Sequence, residues 1–115
     1  MKRVLIYVEK NISNQHTITW IMDFIKRLDA RLISLYIIEH DNANDDIEDE
    51  AWKILYHIED IAFEHEVKIS LLLEKNDEKT SIEIINNVIS TYDIYFMITT
   101  TYVEGVKIPQ LVVGR

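Results

Sequence analysis

Val4-Leu5-Ile6-Tyr7-Val8 is an unbroken apolar run set between Lys2-Arg3 and Glu9-Lys10, the pattern of a strand covered on both faces. Beyond a polar link, Ile18, Ile21, Met22, Ile25 and Leu28 recur at helical spacing and predict an amphipathic helix. Ser13 or Asn14 stands at its N-cap, and Lys26 and Arg27 occupy its last turn, where the helix dipole favours cations. Leu32 to Ile38 is again nearly all apolar and rich in strand formers, so it predicts a second buried strand. Two such strands joined by a helix make a right-handed βαβ unit.

The same alternation continues. After the acidic run Asp41, Asp45, Asp46, Glu48, Asp49 and Glu50, the residues Ile47, Ala51, Ile54, Leu55, Ile58, Ile61, Ala62 and His65 fall at steps of three and four. They predict a long helix capped by Asp45 or Asp46, with its acids at the positive end of the dipole. Val67, Ile69, Leu71 and Leu73 are separated by Lys68, Ser70 and Leu72, a half-exposed pattern that suits a strand nearer the sheet edge. Thr80-Ser81-Ile82-Glu83 has capping-box spacing before Ile84, Ile85, Val88 and Ile89, marking a third helix that ends near Thr91. Asp93 precedes a fourth strand, Ile94 to Ile98, and after Thr99-Thr100-Thr101 and a polar link comes a last apolar run, Leu111-Val112-Val113. Strands alternating with helices mean a parallel sheet flanked by helices. Between Ile98 and Leu111 the chain is too short for a helical crossover, which takes about a dozen residues or more. The last strand therefore crosses by a bare loop, turns back antiparallel, or pairs outside the domain.

Composition narrows the possible chemistry. The 115 residues make one domain, residues 1–115, and with no Cys neither disulfides nor thiolate chemistry is available. Two glycines cannot build a Walker loop or a G-x-G-x-x-G turn. The formal charge of −8 repels phosphate backbones and anionic lipid, so neither nucleic acid nor membrane is an expected partner. No apolar run approaches the roughly 20 residues that span a bilayer, and the first run is too short for a signal-peptide core; the expected location is the cytoplasm.

Three segments resemble the universal stress protein family: Val4 to Glu9, like its first strand ending in an acid; Asp93 to Met97, like its Asp-Leu-Ile-Val-Met; and Pro109-Gln110-Leu111-Val112-Val113, like its terminal Pro-Val-Leu-Val-Val. The resemblance implies a three-layer, flavodoxin-like α/β sandwich. Its five-stranded, mostly parallel sheet would run in the order 3-2-1-4-5, here without the last crossover helix. It also implies a stress-response role and a homodimer joined through the last strand, at Pro109, Leu111, Val112 and Val113; another protein is a further possible partner. Nucleotide-binding members carry G-x-x-G and, further on, G-[ST] after the fourth strand. Here Ile98 and Thr101 stand in place of the first two glycines, and the rest of the motif has no counterpart. A branched side chain at Ile98 is expected to fill the space through which phosphate approaches the backbone. The expectation is thus a non-catalytic, ATP-independent module with no cofactor. The alternative is a weak adenine-nucleotide sensor whose crevice the resemblance assigns to Glu9, Ile37, Met97, Thr99, Thr100 and Thr101.

Each remaining constellation has a plainer reading. The three threonines lie where open α/β sheets bind ligands, or form a polar turn that satisfies its own backbone. Glu9 is a rim base or a solvated carboxylate. The acidic run fails the calcium-loop register, since counting from Asp41 puts Ala43 at the third ligand. His57 and His65 share one helix, whereas tetrahedral metal sites draw ligands from several elements, and His16 and His40 are not brought there by spacing. A phosphoryl-accepting receiver would need a second acid after Glu9, where Lys10 and Asn11 stand, and a Lys after the fifth strand, where Lys107 instead precedes it. Trp20 with Phe24, and Trp52 with Tyr56, are i,i+4 aromatic pairs that widen a core face or anchor an interface.

Overall fold

The computed structural model describes residues 1–9, 12, 14–39 and 44–114; the readings above on Lys10, Asn11, Ser13 and residues 40–43 lie outside them. Along the chain run β1 (Lys2–Val8), α1 (Gln15–Arg27), β2 (Ala30–Ile38), α2 (Asp45–Glu64), β3 (Ile69–Lys75), α3 (Ser81–Tyr92), β4 (Ile94–Thr99) and β5 (Gln110–Val112). The sheet is parallel at every pairing, in the order β3-β2-β1-β4-β5. The bare-loop crossing is therefore the one that occurs, and β5 lies parallel to β4.

Strand periodicity divides the core in two. Val4, Ile6 and Val8 of β1 and Leu32, Tyr36 and Ile38 of β2 face α1 and α2, where Ile18, Ile21, Ile25, Leu55 and Ile58 close over them. Leu5 of β1 and Ile33, Leu35 and Ile37 of β2 face α3, packing on Ile84, Ile85, Val88 and Ile89. The continuous apolar runs of β1 and β2 thus feed both layers, as an interior parallel strand must. At the edge, β3 is half-buried along Ile69–Leu73.

Helix ends follow local chemistry. Asn14 Oδ1 accepts from the amide of His16 at 2.9 Å, as expected of the N-cap of α1. The cap of α2 is Asn44, not Asp45 or Asp46: its backbone is extended and its Oδ1 accepts from the amide of Ile47 at 2.9 Å, while the two aspartates and Glu48 already lie in the first turn. There they meet the dipole without capping. Thr80 Oγ1 accepts from the amide of Glu83 at 3.2 Å and its hydroxyl meets Glu83 Oε1. Val67, expected in the third strand, instead closes α2: its amide donates to Ala62 O at 2.8 Å, with Glu66 left-handed (φ 59°) just before it, a Schellman-type end.

Candidate functional site

The crevice at the carboxyl ends of β1 and β4 forms from the turn that follows β4. Ile98 pairs with Ile6 and Thr99 with Val112, so Thr100 and Thr101 come level with Val8 and Glu9. Thr100 Oγ1 donates to Glu9 Oε1 at 3.2 Å, joining the two strand ends. The Thr99 hydroxyl donates to Thr101 O at 2.8 Å, and its oxygen accepts from the Thr101 amide at 3.3 Å. Thr99 and Thr100 are buried. The structure thus brings Glu9, Thr99, Thr100 and Thr101 together in a turn that closes on its own groups.

Ile37 lies one position past Tyr36, which pairs with Val8, so it reaches the level of Glu9 but is buried against the α3 layer. Met97 pairs with Leu5, four residues before Glu9, or about 13 Å down the strand, and is fully buried in the same layer. Ile98 corrects the steric expectation. Its side chain is fully buried in the α1–α2 core beside Val4 and Ile6, because a bulge between Ile94 and Met97 resets the alternation of β4. At the crevice itself stand the threonine turn and the loop beyond it.

That loop, residues 100–109, contains no helix and is fastened by two side-chain amides. Gln110 Nε2 donates to Val103 O at 2.7 Å, and its Oε1 accepts from the Val103 amide at 2.9 Å. From α3, Asn86 Nδ2 donates to Gly105 O at 3.0 Å, and its Oδ1 accepts from the Lys107 amide at 3.3 Å. Gly105 is left-handed (φ +87°), and a Cβ there would sit 3.2 Å from Ile82 Cγ2. Beneath the loop, Val103, Val106 and Ile108 pack on the α3 core. Sequence reasoning missed both clamps. Their signals were a Gln opening an apolar terminal run and an Asn pair inside a helix, where Asn otherwise weakens the turn.

The electrostatics of this end are negative. Burial pushes the Tyr7 phenol above its usual 10.0, and Glu9, Glu39 and Tyr36 push it further. Glu39 Oε2 accepts from Asn76 Nδ2 at 2.7 Å, which places a second carboxylate on the rim. Carboxylates so placed oppose a bound phosphate.

Elsewhere, His65 Nδ1 lies 3.1 Å from Asp23 Oδ1, linking α2 to α1. At β5, Leu111 is half-buried, Val112 is 50% exposed, Val113 is buried and Pro109 is exposed. A groove of about 380 Å³ runs between Leu111, Val112 and the exposed Trp20 of α1. Trp20 stacks on Phe24 at 5.4 Å, and Phe24 meets Phe96 edge-on. Among the described residues, no helix is long and apolar enough to cross a membrane.

No family model and no curated protein sequence matches this chain. Solved structures do. A universal stress protein family structure from Burkholderia pseudomallei superposes with a TM-score of 0.79 at 12% identity, over 99% of this chain and 96% of that one. The universal stress protein from Archaeoglobus fulgidus in complex with dAMP gives 0.77 at 10% identity, over 97% of each chain. A universal stress protein family member from Arabidopsis thaliana with AMP bound gives 0.69 at 14% identity, over all of this chain and 92% of that one. The fold of this chain, from β1 to β5, is that of the universal stress protein structures.

Proposed function

We propose that the chain is a cytoplasmic stress-response module of the universal stress protein type that works without ATP and without catalysis, as a homodimer joined along β5. The observation that carries this reading is the state of the loop amides. Phosphate sites in this kind of crevice rely on free backbone N–H groups, usually at a helix N-terminus. Here the amide of Thr101 is taken by Thr99, that of Val103 by Gln110 and that of Lys107 by Asn86, and no helix follows β4 before β5. The carboxylates of Glu9 and Glu39 add repulsion. The homodimer rests on β5 being an edge strand beside an apolar groove, since such edges pair or must be protected.

A second reading, a weak adenine-nucleotide sensor at Glu9, Ile37, Met97 and Thr99 to Thr101, is favoured by the dAMP and AMP held in two structural neighbours. Titration calorimetry with ATP, ADP and AMP separates the two. The first reading expects no binding heat at about millimolar nucleotide; binding at about micromolar concentrations overturns it in favour of the second.

A further inference from the structure

Helix α2 carries charge and exposed aromatic surface together. Of its 20 residues, eight are Asp or Glu and one is Lys, in a chain whose net charge is −8. Its apolar face, with Ala51, Leu55, Ile58 and Ala62, is buried. Beside that face Trp52, Tyr56 and Phe63 fall within about 40° of one another on the helical wheel. Trp52 is half-buried against the core and stacks on Tyr56 at 5.5 Å; Tyr56 is 53% exposed and Phe63 84%. The stripe runs about 16 Å along the helix. Asp49 and Asp60, both exposed, flank it on one side and the partly exposed Glu59 on the other. Glu48, one turn before Trp52, reaches Lys75 of β3 at 3.2 Å, so the stripe borders the open β3 edge. The aromatic pair of α1 has no such rim, with Asp23 offset by Lys26 and Arg27.

We infer that the outer face of α2 is a docking surface for a basic amphipathic segment of another protein, one that sets apolar anchors against Tyr56 and Phe63 and Lys or Arg against the flanking acids. Aromatic side chains gathered on one face supply the anchoring area typical of binding hot spots, and the acids select the sign of the partner and speed its encounter. A second copy is a poor occupant, because a two-fold contact would set the same acids against each other. Nucleic acid and anionic lipid carry the same sign as the rim. The inference goes beyond the proposed function and is independent of its claim about nucleotides, so calorimetry with ATP can fail or succeed without touching it.

The test uses the whole chain and a labelled helical peptide of Lys and Leu about five turns long, beside a counterpart with Glu for every Lys. Anisotropy should show binding of the Lys peptide and none of the Glu peptide, with affinity falling as salt rises from about 0.05 to 0.5 M. Tyr56→Ser with Phe63→Ser should weaken binding at least about tenfold, and Asp49→Asn with Asp60→Asn should weaken it and flatten the salt dependence. Unchanged urea midpoints in both variants show that the fold is intact, and amide shift changes on binding should centre on α2. Failure of the Lys peptide to bind, equal binding of the Glu peptide, undiminished affinity of the Tyr56/Phe63 variant, or dissociation of an oligomer by that variant would each overturn the inference.

Discussion

Ser34 is the sharpest test of the core as described. It lies mid-strand in β2, paired with Ile6 and Leu71, and is fully buried. By alternation with Leu32 and Tyr36 it faces the α1–α2 core. Its hydroxyl oxygen is buried with no hydrogen-bond partner. A buried hydroxyl without a partner costs about 1–3 kcal/mol in lost hydration. Ser34→Ala removes that oxygen and leaves a void smaller than one water, which at about 24 cal/mol per Å³ costs a few tenths of a kcal/mol. Strand propensity hardly distinguishes the two residues. The net expectation is stabilisation by about 1 kcal/mol, a rise of about 4 °C in Tm for a domain of this length. Urea unfolding should show a higher midpoint at unchanged slope, since the surface exposed is the same. A midpoint that is unchanged or lower would mean instead that the hydroxyl holds a hydrogen bond in solution.

Three further outcomes follow from the same geometry. Gln110→Leu removes both bonds to Val103 and should cost about 1–3 kcal/mol, with the Val103 amide losing its protection in hydrogen exchange; retained protection would mean that the loop is held by apolar packing alone. Because Tyr7 keeps its proton in the folded chain to a higher pH than in the unfolded one, the unfolded chain binds fewer protons above pH 10.0, and stability falls as pH rises through the folded value; Tyr7→Phe should flatten that alkaline fall, and an unchanged slope would place its cause elsewhere. The amide of Val113 donates to Thr99 O and Pro109 O accepts from the amide of Met97, so alternate residues of β5 face β4 and the N–H of Val112 faces outward; if the proposed homodimer forms along β5, Val112→Pro should leave the sheet intact while giving a monomer by light scattering, and a dimer that persists in the variant would remove β5 as the contact.

Much of this was legible in the sequence because the strands and helices repeat with the periods that burial imposes. The runs Val4–Val8 and Leu32–Ile38 and the stripe Ile18, Ile21, Met22, Ile25 correspond to β1, β2 and α1. The cap of α2 was not legible, since Asn44, Asp45 and Asp46 are nearly equal as caps and only their backbone angles separate them. The facing of Ile98 was not legible either, because a single bulge in β4 reverses every side chain after it. The path of residues 100–109 depends on Asn86 and Gln110, polar contacts made at no repeating interval.

Those two amides also explain how the fold does without its last crossover helix. Such a helix does two jobs at once: it covers the α3 face of the sheet beside β4, and it presents unpaired N–H groups at its first turn. The loop does the first with Val103, Val106 and Ile108. A loop over an apolar face must find partners for its own backbone, and here Gln110, Asn86 and Thr99 supply them. On the proposed reading, three donors that an anion could use, the amides of Thr101, Val103 and Lys107, are ones that hold the loop in place. The proposed function therefore has loop order and anion binding compete for these N–H groups, and it expects nucleotide to enter this crevice only with loss of the clamps.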